Sequence, residues 1–144
     1  GTENVAYAVG FGEAAALAAR SLAAGESRRQ LALRDQLEHR LATLLPGRVH
    51  LNGHPVQRLP NTANLRIDDA PALALLADLT DVVVSAGSAC HAGRDEPSAV
   101  LTAMGLSDAD ALTAIRVSLG RWTTAAEVDA ACTHLAGATR TDHP

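Results

Sequence analysis

Two residue types with sulfur or nitrogen nucleophiles frame what this chain can do. It has two cysteines and six histidines, and all 12 of its Lys+Arg residues are arginine, so it cannot form a Schiff base with an aldehyde through a lysine side chain. Cys90 stands in the stretch Ser85-Ala86-Gly87-Ser88-Ala89-Cys90-His91-Ala92-Gly93-Arg94-Asp95-Glu96-Pro97. Small residues precede it and let backbone approach a ligand or another chain closely. A polar, Gly-containing stretch follows it, which predicts a loop rather than a packed element. A thiol there can serve as a nucleophile if its thiolate is favoured. His91 and Arg94 would favour it, whereas Asp95 and Glu96 would act against it. The alternative is an inert loop thiol. Cys132 lies on an apolar helical face with Val128, Ala131 and Leu135 and reads as core. The histidines are scattered without ligand spacing, which argues against structural zinc. Gly10-Phe11-Gly12 lacks the third glycine of a dinucleotide fingerprint and is better explained by helix packing.

The elements that must position Cys90 can be read around it. Val82-Val83-Val84 is a short β-branched run and predicts a buried strand leading into the loop. Pro97 suits the first turn of a helix running to Met104, closed by Gly105. Upstream, an Ala-rich helix is expected from Glu3 to Ala23 with Thr2 as N-cap. A second helical stretch carries Leu33, Leu37, Leu41 and Leu44, with Arg34 and Glu38 as an i,i+4 pair on its wet face. Gly25-Glu26-Ser27 weakens the join, leaving open one bent helix or two. Pro46-Gly47 ends it. Arg48–Leu51 and Ala63–Ile67 are strand candidates, separated by the turn signal Asn52-Gly53-His54-Pro55. Asp68 to Pro71 opens a helix containing Leu73, Leu76 and Ala77. Ser107 caps another, and Ile115, Val117 and Leu119 alternate with Arg116 and Ser118 as a strand with Arg116 on its less apolar face. Thr124 and Glu127 form a capping box for the last helix. Alternating helices and short strands predict an α/β fold, a small mixed sheet covered by helices.

Composition bounds the rest. At 144 residues the chain can bury one real core. Hydrophobic residues make up 47% but aromatics only 2%, so alanine and leucine must build that core. A net charge of -4 argues against a general nucleic-acid binder. No apolar run approaches the ~20 residues of a membrane-spanning helix. The N-terminus lacks a signal-peptide pattern, and two cysteines make no disulfide framework, so a cytoplasmic location is expected.

The motifs together resemble the pyridoxal-phosphate-dependent cysteine desulfurases. The resemblance is carried by Ser85 to Cys90, then Glu96-Pro97-Ser98 and Val100-Leu101. It extends to Gly1-Thr2-Glu3-Asn4-Val5, Arg58-Leu59-Pro60-Asn61-Thr62, Ala103-Met104-Gly105-Leu106, Ile115-Arg116-Val117-Ser118-Leu119-Gly120-Arg121 and Thr123-Thr124. It runs in register over nearly the whole chain. Ala86, where the pattern often has serine, and His91-Ala92-Gly93-Arg94 depart from it, while the separation of Cys90 from Pro97 resembles the long-loop branch.

The resemblance implies the C-terminal small domain of a fold-type I enzyme, residues 1–144 with its lead-in helix. The large domain that holds pyridoxal 5'-phosphate and its lysine is absent, and Gly1 reads as a cut edge. It implies that Cys90 is the catalytic nucleophile, taking sulfur from L-cysteine as a persulfide with release of L-alanine. Arg116 would bind the substrate carboxylate, and Thr2 would reach the cofactor phosphate of the neighbouring subunit. It further implies a homodimeric intact enzyme and a sulfur-acceptor or scaffold protein as partner, serving iron–sulfur clusters, thio-cofactors or thionucleosides. The isolated chain is expected to be inactive. The alternatives are a stand-alone persulfide-carrier or acceptor-docking module, or a selenocysteine lyase-like relative.

Overall fold

The computed structural model describes residues 2–87 and 96–139. Helix α1 spans Val5–Ala23 and buries none of its residues. Its N-cap is Asn4, whose side chain accepts from the Tyr7 N–H at 3.1 Å. Thr2 therefore lies two residues before the cap instead of forming it, because the Asn4 amide oxygen already satisfies a free N–H of the first turn. Gly25 takes a left-handed φ of 93°, which breaks the join and makes α2 (Glu26–Leu44) a separate helix.

Helix α2 packs its Leu33, Leu37 and Leu41 stripe against α6 (Ala125–Ala138), which presents Val128, Cys132 and Leu135. Leu41 and Leu135 are fully buried; each such leucine contributes roughly 1.5–3 kcal/mol. The α6 capping box is present, with Thr124 and Glu127 bonding each other's backbone N–H. Short helix α3 (Ala72–Asp78) adds Ala72 and Leu75 to the same core.

These helices cover one face of a four-stranded sheet: β1 (Val49–Leu51), β2 (Thr62–Ile67), β3 (Ser85–Ala86) and β4 (Ala114–Ser118), in the order β1-β2-β4-β3. The α/β class is as expected, and every described strand pairing is antiparallel. Strands β2 and β3 run the same way, but β4 sits between them, giving a split β-α-β arrangement with no parallel neighbours. That insertion is why the sheet is antiparallel and not mixed.

Two local expectations are corrected. The strand falls at Ser85–Ala86, not at the valine run. Val84 is buried, but Val83 is 98% exposed, so the run serves as the connection into an edge strand. Arg34 is 4% exposed and belongs to the interior side of α2, not to its wet face. Its Nη1 donates to the Leu59 carbonyl at 2.8 Å, and Nη2 pairs with Asp35 at 3.0 Å. Glu38, 3.7 Å from Arg34 Nε, also takes both terminal nitrogens of Arg58. This trio fastens the β1–β2 connection to α2.

Candidate functional site

Alternation along β2 and β4 divides the sheet into two faces. Ala63, Leu65, Ile67, Ile115 and Val117 turn to the helical core. Thr62, Asn64, Arg66, Arg116 and Ser118 share the opposite face, with Asn64 paired to Arg116 and Thr62 to Ser118. Helices α4 (Ala99–Ala103) and α5 (Asp108–Leu112) cover one end of that second face, where Leu101, Ala111 and Ala114 form a small core with Leu106. Arg66 lies at this end, 3.8 Å from Asp110.

A polar row crosses the second face, one residue from each strand or its end: Asn52, Asn64, Arg116 and Ser85. Asn52 follows β1 and binds Asn64 twice, backbone N–H to backbone carbonyl at 2.9 Å and amide to amide at 2.8 Å. Ser85 of β3 is in register with Arg116 on the other side. Arg116 is exposed, and its side chain makes no hydrogen bond or ion pair among the described residues. A guanidinium with its fork unclaimed, on a rigid central strand, is suited to bidentate capture of a planar anion such as a carboxylate.

Strand β4 is held at its exit from two sides. Leu119 N–H donates to the Asn61 carbonyl at 2.8 Å, and the Asn61 amide donates to the Leu119 carbonyl at 3.2 Å. Arg29, in the first turns of α2, donates to the carbonyls of Gly120, Arg121 and Thr123 at 2.7–3.1 Å. Glu26 accepts from the same guanidinium, and that bond is the main reason its carboxyl is lowered to about 2. The backbone carrying Arg116 is thus fixed to α2 over a sequence separation of more than ninety residues.

Cys90, with His91, Arg94 and Asp95, lies outside the described residues. The segment that carries it leaves β3 through Gly87, whose φ is 63°, and reaches α4 through Glu96, Pro97 and Ser98. One flank is therefore seated beside Arg116, since β3 pairs with β4, and the other packs on the same face of the sheet at its Ala114 end. Cys90 lies five positions after Ser85, a span of at most roughly 18 Å.

Thr2 is exposed ahead of α1, and no hydrogen bond among the described residues joins it to Arg116. Cys132 is core as expected: it is fully buried, its Sγ lies 3.6 Å from the Leu37 carbonyl, and burial pushes its thiol up to about 11. Among the described residues no cluster of His, Cys, Asp and Glu is placed to hold a metal, and no helix is long and apolar enough to cross a membrane. The residues present do not by themselves fit pyridoxal phosphate: there is no lysine for its aldehyde, and the polar row offers donors for a carboxylate. Sequence reading missed Asn52, Asn64 and Ser85 as members of this row. The alternation of Thr62-Ala63-Asn64-Leu65 already placed Asn64 on the polar face, but the register that sets it opposite Arg116 has no local signature.

The chain is similar to proteins of known kind. A "Cysteine desulfurase" of Frankia sp. (strain EuIK1) is 46% identical over 128 residues, 89% of this chain and 30% of that protein. A "Cysteine desulfurase IscS" of Anaeromyxobacter sp. (strain Fw109-5) is 45% identical over 129 residues, 90% of this chain and 31% of that protein. The solved structure of a NifS-like protein from Rickettsia africae ESF-5 superposes with a TM-score of 0.79 at 32% identity, covering 96% of this chain and 35% of that one. The chain thus spans about a third of the length of the curated relatives it matches. The family profile described as Aminotransferase class-V matches residues 1–131, nearly the whole of the fold described above, and the chain belongs to the aminotransferase class-V family.

Proposed function

We propose that the protein to which this chain belongs is a pyridoxal-phosphate-dependent cysteine desulfurase, and that residues 1–144 are its C-terminal small domain. Cys90 receives the sulfur of L-cysteine. The balanced change is cysteine plus the Cys90 thiol giving alanine plus a Cys90 persulfide: the substrate carbon–sulfur bond is broken, a sulfur–sulfur bond is formed, and a proton replaces sulfur on carbon. Pyridoxal phosphate supplies the carbanion stabilisation that such cleavage needs; its lysine lies in the large domain, and Thr2 reaches toward its phosphate in a homodimer. Arg116 holds the substrate carboxylate. The persulfide then passes to an acceptor or scaffold protein for iron–sulfur cluster or thio-product assembly, in the cytoplasm. The isolated chain is inactive, having no residue to carry the cofactor.

The observation that carries this reading is the placement of Arg116. Its guanidinium is unclaimed among the described residues and stands on a central strand, and the neighbouring strand runs directly into the segment bearing Cys90. The names of the relatives point the same way.

Mass spectrometry of the full-length protein after treatment with cysteine tests it. The peptide containing Cys90 should gain one sulfur, reversibly by reductant, and alanine should accumulate. The Cys90→Ala protein should form no persulfide. Alanine release coupled to sulfur transfer in Cys90→Ala would remove Cys90 from the reaction.

A further inference from the structure

The polar row contains an apparent extravagance. Asn52 is only 7% exposed, and its Oδ1 is buried without a hydrogen-bond partner. A strand end that only had to pack would be better served by an apolar side chain, since an orphaned buried amide oxygen is destabilising. What Asn52 does is hold Asn64, by backbone and by side chain together. Asn64 stands in register with Arg116 on the same face, where side chains directly opposite have Cβ atoms roughly 4.5–5.5 Å apart. The tie turns the Asn64 amide toward the β1 side of the row. The other flank of Arg116 is Ser85, also neutral. Arg66, two residues beyond Asn64 on β2, has Asp110 beside it, whereas Arg116 has no acidic neighbour bonded to it among the described residues.

We propose that Asn64, tethered by Asn52, is a positioning residue that keeps the Arg116 guanidinium unclaimed by the protein and so available to the carboxylate of the substrate. The inference rests on the assignment of Arg116 to that carboxylate. It adds a reason for the residue types on either side. A long or acidic residue at position 64 would fold onto the guanidinium and occupy its fork. A short amide whose one side-chain acceptor, Oδ1, is already committed to Asn52 cannot.

Asn64→Asp is nearly isosteric and still offers Asn52 an acceptor, so the fold is retained, but it places a carboxylate opposite Arg116. In the full-length holoenzyme this internal anion should compete with the substrate. KM for L-cysteine should rise about tenfold, from charge-assisted bonding to the same fork, while kcat stays within about twofold. In an Arg116→Gln background the Asn64→Asp effect on KM should vanish. Asn52→Ala, which frees Asn64, should raise KM by a smaller factor.

Three outcomes decide the matter. A rise in KM that depends on Arg116 supports the proposal. If Arg116→Lys raises KM but Asn64→Asp leaves it unchanged, the positioning role is overturned and the carboxylate assignment stands. If Arg116→Lys itself leaves KM unchanged, the carboxylate assignment fails, and the proposal falls with it.

Discussion

Replacing Glu38 by glutamine tests whether the Arg34–Glu38–Arg58 trio is interior machinery or surface decoration. The Glu38 side chain is 22% exposed and the Arg34 side chain only 5%. Glu38 takes a bidentate pair from Arg58 and lies 3.7 Å from Arg34 Nε. Its bond is also the main cause of the raised pKa of Arg58. Glutamine preserves the shape but turns one acceptor into a donor that faces a guanidinium. Breaking one partner out of a buried pair costs about 3–5 kcal/mol. Here Asp35 remains bonded to Arg34, and it is 57% exposed, so the loss should be smaller, about 2–3 kcal/mol. With a urea m-value near 2 kcal/mol/M for a domain of this size, the unfolding midpoint should fall by about 1–1.5 M.

The local signature should match. Arg34 holds the Leu59 carbonyl, and Asn61 accepts from the Leu119 N–H. Loosening the trio should therefore speed hydrogen exchange at Leu119. The control is Asp35→Asn, whose exposed carboxylate should be worth about 0–1 kcal/mol. Equal midpoints for the two variants would refute the burial reasoning.

Two further outcomes follow from titration. Glu26 is lowered from 4.5 to about 2 by its bond to Arg29, so its contribution to stability is complete above pH 4.5 and is lost as pH falls toward 2. The stability gap between the native protein and Glu26→Gln, measured by denaturant midpoints, should be constant from pH 7 to about 5 and close toward pH 2; a gap that ignores pH would show that the clamp works without the charge. Cys132, pushed up to about 11, should have about one thiolate in a thousand at pH 8. Peptide mapping after alkylation should find Cys132 unmodified in the native protein and modified in denaturant; native labelling would contradict its place in the core.

Much of the fold was legible because its signals are local. The Leu33–Leu41 stripe, the Thr124 capping box, the Ser107 cap and the alternation around Arg116 each depend on residues within a few positions of one another, and each is where the sequence places it. What was not legible depends on partners distant in sequence. The three valines at 82–84 have the composition of a strand, yet only the next two residues find a pairing on β4. Arg34 looked solvated because the i,i+4 rule knows only its own helix; its burial comes from Leu59 and Arg58, more than twenty residues away. Asn52 carried the signature of a turn and nothing that foretold its bond to Asn64. Cys90, which the motifs single out most clearly, lies outside the described residues.

The insertion of β4 between β2 and β3 sets an order of assembly. Until residues 114–118 are in place, β2 and β3 share the same missing neighbour and cannot pair with each other across the gap. The row of Asn52, Asn64, Arg116 and Ser85 is therefore completed only when β4 arrives, and Arg116 stands 26 positions after Cys90 in the chain. Until that interior strand is in place β3 has no partner in the sheet, so Asn64 and Ser85 come to flank a common residue only as the sheet closes.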